Sequence, residues 1–245
     1  LDDVFKHLAQ RSLFRLSWGG KGVHGDDWTR LLRDDFLPRL RRMQREAASE
    51  GYLQPRAVYG YFPGNGEGND VILFDPRNPN RELERFTFTR QSGEDHLSIA
   101  DYYLPVESGK RDVVILQLVT MGAKATERVD RLQAQGDYSD SYYTHGLSVE
   151  AAEALAEYVH ALVRSDLGLK SNQGKRYSWG YPACPDLEDH EKVLRLLDAT
   201  TQIGVTATAG YQLVPEQSTA AIATRHPDAR YFSVVSRLVP EVSAV

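Results

Sequence analysis

Arg176-Tyr-Ser-Trp-Gly-Tyr-Pro-Ala-Cys-Pro185 gathers a cation, three aromatic rings, a glycine, two prolines and the only cysteine of the chain into ten positions. Proline fixes φ and removes a donor, and glycine permits close backbone approach. The run therefore cannot continue an ordinary helix or a central strand, and it predicts a rigid loop with aromatic walls. Arg176 offers that loop a planar fork for one carboxylate or phosphate. Packing alone accounts poorly for ten such residues in a row, so the run is read as a functional surface.

Working outward, Asp26 to Glu50 reads as a helix, with Leu31, Leu32, Phe36, Leu40 and Met43 near helical spacing and Gly51 as its stop. Ala57 to Phe62 and Asp70 to Phe74 are β-rich and flank Pro63 to Asn69, which predicts a hairpin with a long glycine-rich turn. Leu83 to Phe88 is a further strand. The nearly continuous Val/Ile/Leu run Asp112 to Val119 predicts a buried central strand. Ser148 to Leu167 is the clearest helix, with Ala152, Leu155, Ala156, Val159 and Leu162 facing inward. Leu187 to Gly204 reads as another, capped by Asp186 and ended by Gly204. Strands Ala220 to Thr224 and Tyr231 to Val235 follow, hinged on His226-Pro-Asp228. The order lacks a βαβ rhythm, internal repeats and a long linker. It predicts a single α+β domain over 1–245, a twisted antiparallel sheet flanked by helices.

Composition narrows the function. With 245 residues, 41% hydrophobic and 26% charged, the chain can bury a sizeable core. A net charge of −5 argues against nucleic acid or an anionic membrane as principal partner. The arginines at 33, 39, 41, 42 and 45 have acidic neighbours and read as a solvated helix face. A single cysteine excludes an internal disulfide framework and fits a reducing cytoplasm. Gly64-Asn-Gly-Glu-Gly68 lacks the Lys-Ser/Thr ending of a phosphate loop, and His190-Glu191 lacks the second histidine of a zinc-protease helix. No protein-bound metal is expected. Cys184 has no nucleophile motif around it and reads as a small packed residue.

Arg176 with Gly180-Tyr-Pro-Ala-Cys-Pro185 resembles the signature of the S-adenosylmethionine-binding reactivation domain of cobalamin-dependent methionine synthase. The resemblance extends in order through Phe14 to Trp18, Val58 to Pro63, Leu97 to Tyr102, Tyr142 to Leu147, the helix Glu150 to Arg164, and His226 to Phe232. It implies a C-terminal piece of a larger multidomain enzyme. In that enzyme the domain binds S-adenosylmethionine and presents its methyl group to oxidised cobalamin on the adjacent domain, with an electron from a flavodoxin-type donor.

The resemblance also implies site residues. Arg176 pairs with the ligand carboxylate, a backbone group of Ser178 meets the ligand, and Tyr231 touches it with Phe232 alongside. Glu153 lies nearby, where a carboxylate offsets the ligand's positive charges. Tyr181 belongs to another surface and reaches the cobalamin. One departure stands out: the family's N-terminal aspartate is replaced by Ala9, which implies weaker binding or compensation by Glu153. The rival reading is a docking module that caps cobalamin or recruits the electron donor without binding S-adenosylmethionine.

Overall fold

The computed structural model describes residues 1–93, 95–170 and 172–234. The chain opens with two short helices, α1 (Asp2–Phe5) and α2 (Gln10–Ser12). A π-helical turn over Leu13–Ser17 then buries Leu13 and Phe14. The helix expected over Asp26 to Glu50 is continuous but not uniform. It runs as α3 (Gly25–Leu31), a π-helical stretch Leu32–Phe36, and α4 (Leu37–Glu50). Pro38 explains the irregularity, because it has no N–H to return to the preceding turn and the wider stretch before it absorbs the mismatch. Gly51 ends the helix at φ +63°, as a C-cap glycine should.

Strands β1 (Arg56–Glu67), β2 (Asp70–Asp75) and β3 (Asn78–Thr87) form a meander. The expected long turn is replaced by strand. Glu67 pairs with Asp70, so only Gly68 and Asn69 turn the chain. Gly64 and Gly66 lie inside β1 because other groups crowd them. A Cβ on Gly64 would stand 2.4 Å from Val114 Cγ2, and one on Gly66 would stand 2.4 Å from the Ala100 carbonyl oxygen. Between them the fully buried Asn65 donates to the carbonyls of Leu104 (2.9 Å) and Lys110 (2.7 Å) and accepts from Arg111 (2.6 Å).

β4 (Asp112–Thr120) is buried at every position but Val113, as its composition requires. Helices α5 (Ala123–Ala134) and α6 (Tyr138–Asp166) follow. α6 begins at Tyr138 rather than Ser148, where the Asp137 carboxylate accepts the Asp140 amide. Gly146 lies within the added turns, and a Cβ there would stand 2.9 Å from the Trp18 ring. The glycine lets Trp18 dock and donate from Nε1 to the Tyr143 carbonyl at 3.1 Å. Leu162, expected inside, is exposed.

The run that opened the reading is part strand: Arg176 to Ser178 lie in β5 (Lys175–Ser178), an edge strand, and only the residues after it form the loop. An edge accepts the proline-rich continuation that a central strand would not. The single helix expected over 187–204 is divided into α7 (His190–Leu196) and α8 (Ala199–Ile203) by Asp198 in the left-handed conformation. Asp186 does not cap it. The acid at its start is Asp189, whose carboxylate meets Lys192 (2.7 Å) and Trp179 Nε1 (3.3 Å). Gly204 is the C-cap, as expected. A small ribbon, β6 (Thr206–Ala207) with β7 (Leu213–Val214), precedes β8 (Ser218–Thr224). Tyr231 to Val234 are irregular rather than a strand, and Val235 lies outside the described residues.

The main sheet has the order β3-β2-β1-β4-β8-β5 with every pairing antiparallel. Alternation in β4 divides the core. Ile115 and Val119 pack with α4, α6 and the N-terminal segment, and Val114, Leu116 and Leu118 pack with α7, α8 and the aromatic loop. The sheet is thus sandwiched between helical layers, an α+β domain as predicted. No helix among the described residues is long and apolar enough to cross a membrane.

Candidate functional site

Strand alternation turns Arg176 and Ser178 of β5 to the same side. There Arg176 Nη1 donates to Ser178 Oγ at 2.6 Å, and Nη2 meets Glu153 Oε2 of α6 at 3.0 Å. Arg176 is 11% exposed, and its Nε is buried without a partner. Past the strand, Gly180 takes φ +85°. Its amide donates to the Cys184 carbonyl at 2.9 Å, and the Cys184 amide returns to Tyr181 at 3.0 Å. This tight loop holds up the Tyr181 ring, whose hydroxyl donates to Glu153 Oε1 at 2.7 Å while half the residue stays exposed.

The opposite wall comes from the C-terminal segment. Tyr231 is 65% exposed and sets its ring edge-on to Tyr177 at 5.8 Å. Phe232 packs 6.0 Å from Tyr177 and 6.3 Å from Tyr102. A hydrogen bond from the Val234 amide to the Pro182 carbonyl (2.8 Å) ties this segment to the loop. The enclosed cavity has a volume of about 330 Å³. All six residues named from the sequence, Arg176, Ser178, Tyr231, Phe232, Glu153 and Tyr181, line it together with Tyr177, Pro182 and Ala183.

One placement differs from the expectations. Tyr181 stands at the rim of this same cavity rather than on a separate surface. The Ser178 carbonyl is already engaged, accepting the Cys184 thiol (2.9 Å) and the Tyr181 amide (3.3 Å). Ala9 is exposed and does not line the cavity. Its helix connects to the site indirectly: Ser12 donates to Glu150 at 2.9 Å, one turn of α6 before Glu153.

The electrostatics suit binding more than acid–base chemistry. Burial, then the Glu153 charge, raises the Tyr181 hydroxyl above the usual phenol range. Burial likewise raises Tyr231. The Cys184 thiol is pushed up to about 12, chiefly by burial, which makes it a poor nucleophile. Further along α6, burial lowers His160, whose Nδ1 lies 3.1 Å from Arg164 Nη1; a neutral ring accepting that donor fits both observations. Among the described residues no group of three His, Cys, Asp or Glu side chains could hold a metal ion. The wall residue that sequence reasoning passed over is Tyr177. Its only signal was membership of the same aromatic run.

Residues 33–238 match the family described as vitamin B12 dependent methionine synthase, activation domain. The chain belongs to that family. This activation domain is 37% identical over 255 residues to methionine synthase of Mycobacterium tuberculosis (strain ATCC 25618 / H37Rv), covering 93% of this chain and 21% of that relative. It is 39% identical over 260 residues to methionine synthase of Mycobacterium leprae (strain TN), covering 95% and 22%. The activation domain thus spans about a fifth of the length of these relatives. Its fold is similar to a crystal structure of the MetH reactivation domain bound to AdoHcy, with a TM-score of 0.82 and 25% identity, covering 96% of this chain and 78% of that one.

Proposed function

We propose that this domain binds S-adenosylmethionine in the cavity between Arg176 and Tyr231 and presents its methyl group to cobalamin carried by a neighbouring domain of the same polypeptide. The setting is a cytoplasmic enzyme making methionine from homocysteine and methyltetrahydrofolate. The observation that carries this reading is the meeting, in one cavity, of a guanidinium, a carboxylate and aromatic rings. The ligand has a carboxylate, an ammonium and a sulfonium, and each finds a suitable group there. Arg176 suits the carboxylate, Glu153 the ammonium, and Tyr231 with Phe232 the cationic thioether and its nucleoside. A volume of about 330 Å³ lies within the range of small-ligand sites, roughly 300–1,000 Å³.

S-Adenosylmethionine supplies an electrophilic methyl group which, with one electron from a flavodoxin-type donor, returns oxidised cobalamin to its methylated form. The protein's part is positioning. Gly180 and Pro182 stiffen the loop, and half-exposed Tyr181 stands at the rim where an incoming domain would meet it. Holding the donor in a fixed orientation converts a rare encounter into an effectively unimolecular step. No side chain of the site has to remove a proton, and the domain alone is expected to be inactive because the cobalamin is carried elsewhere.

Calorimetric titration with S-adenosylmethionine tests the reading. Arg176→Ala is expected to lose about 1.5–3 kcal/mol, the worth of a hydrogen bond to a charged group. That is roughly a 10- to 150-fold weaker Kd. An unchanged affinity in the variant would remove the carboxylate clamp. Absence of binding to the unmodified domain would favour the docking module.

A further inference from the structure

Glu153 is the only acid among the described residues lining the cavity, and both of its oxygens are engaged. Oε2 meets Arg176 Nη2 at 3.0 Å and Oε1 accepts from Tyr181 at 2.7 Å. The other guanidinium nitrogens offer no easy alternative, because Nη1 is on Ser178 Oγ and Nε is buried. A carboxylate arriving at Arg176 must therefore compete with Glu153. Removing one partner from a largely buried ion pair strands the other charge, which is costly unless a replacement arrives with it. An ammonium on the same ligand is such a replacement.

Tyr181 is drawn into the exchange. Once Glu153 turns away from the loop, the phenol loses its acceptor. The ring stands between the cavity described above and a second one, also about 330 Å³, bounded by Trp179, Leu187, His190 and Leu213. The loop backbone is pinned by the Gly180–Cys184 hydrogen bonds, so the ring can move only by side-chain rotation, and the second cavity gives it room.

We infer that Arg176, Glu153 and Tyr181 form an exchange latch: a ligand carrying both an α-carboxylate and an α-ammonium takes over the two ends of the ion pair and releases the Tyr181 ring. The inference rests on the ligand reading proposed above and adds a selection rule to it. A nucleoside thioether with neither charge leaves the latch shut. An acid without the amine opens it only by leaving Glu153 unpaired beside a second anion. Ligand occupancy is thereby transmitted to the residue at the rim, where a neighbouring domain would sense it.

The test uses three probes: S-adenosylhomocysteine, its deaminated analogue and 5′-methylthioadenosine. Each is titrated by calorimetry and by ¹⁹F NMR with 3-fluorotyrosine at position 181. S-Adenosylhomocysteine should bind at least about tenfold tighter than the deaminated acid, the scale expected for a hydrogen bond to a charged group. It should also shift the resonance of residue 181, whereas 5′-methylthioadenosine should bind without shifting it. In Glu153→Gln the preference for the amine should collapse to within about twofold. Glu153→Asp should keep the preference while its shorter side chain releases Tyr181 before any ligand is added. An amine preference that survives in Glu153→Gln, or a resonance unmoved by bound S-adenosylhomocysteine, overturns the latch and leaves the ligand reading standing. No binding of S-adenosylhomocysteine to the unmodified domain overturns both.

Discussion

Replacing Gly66 by alanine should destabilise this domain more than the same change two residues later. A Cβ on Gly66 would lie 2.4 Å from the Ala100 carbonyl oxygen and 3.4 Å from that of Tyr103. Both obstacles are backbone, and the segment that carries them cannot easily retreat. It is held by the Gly66 amide on Leu104 (3.0 Å), by Asn65 on the same carbonyl (2.9 Å), and by the Ser98–Asp101 capping box. Overpacking of this kind costs about 1–3 kcal/mol, and loss of the Gly66–Leu104 hydrogen bond adds about 1 kcal/mol. A total near 2–4 kcal/mol corresponds to a fall in Tm of roughly 4–16 °C for a domain of this size. Gly68→Ala meets nothing within 4 Å and suffers only its φ of +60°. That strain is worth about 1–2 kcal/mol, or roughly 2–8 °C. Gly64→Ala, which meets Val114 Cγ2 at 2.4 Å and the Ile72 carbonyl at 2.7 Å, should resemble Gly66→Ala. Thermal melts followed by near-UV circular dichroism give the order directly. If Gly66→Ala lies within 1 °C of Gly68→Ala, close approach is not why these glycines are there.

With its thiol held near pKa 12, Cys184 should carry about one part in 10⁴ thiolate at pH 8. Iodoacetamide should then label the unfolded chain and spare the native one; rapid native labelling would contradict the burial. Gln117 is fully buried, donates to the Ala156 carbonyl at 3.1 Å, and leaves Oε1 without a partner. Gln117→Met should therefore be neutral or stabilising by up to about 1 kcal/mol in urea denaturation, and a loss above 2 kcal/mol would show that the amide is needed. Ala9→Asp should tighten S-adenosylmethionine binding in calorimetry if the missing aspartate matters. Because Ala9 is the N-cap of α2, the new acid stabilises the fold by about 0.5–2 kcal/mol regardless, and only the affinity decides.

What the sequence disclosed follows from which residues have one physical use and which have several. β4 was legible because an unbroken Val/Ile/Leu run suits a strand covered on both faces and little else of that length. Gly51 and Gly204 were legible because each ends a helix in the left-handed conformation. The glycines of 64–68 were not, since glycine serves both positive φ and close approach, and a sequence carries no distances. The first turns of α6 were missed for a related reason. Tyr142, Tyr143, Thr144 and Gly146 are indifferent helix formers, and their helix is secured by contact with Trp18, which arrives from more than 120 residues away. Asp198 divided an expected single helix by adopting φ +48°, which its apolar periodicity could not announce.

The cavity was more legible than the fold because much of its wall is contiguous in sequence. Arg176, Ser178 and Tyr181 sit within six residues of one another, and their chemistry is unusual wherever it lies. Glu153 is the harder member. Read by composition it is one more helix glutamate, and an exposed one would serve equally well. Its neighbours argue otherwise: Glu150, Ala151, Ala152, Ala154, Leu155 and Ala156 are all buried, so this part of α6 has almost no solvated face on which to place a charge. A carboxylate that persists in such a stretch must find a cation and a donor inside the protein, and here it finds Arg176 and Tyr181. The same burial makes the pair responsive, because a group with few alternatives in water yields only to a ligand that can replace what it gives up.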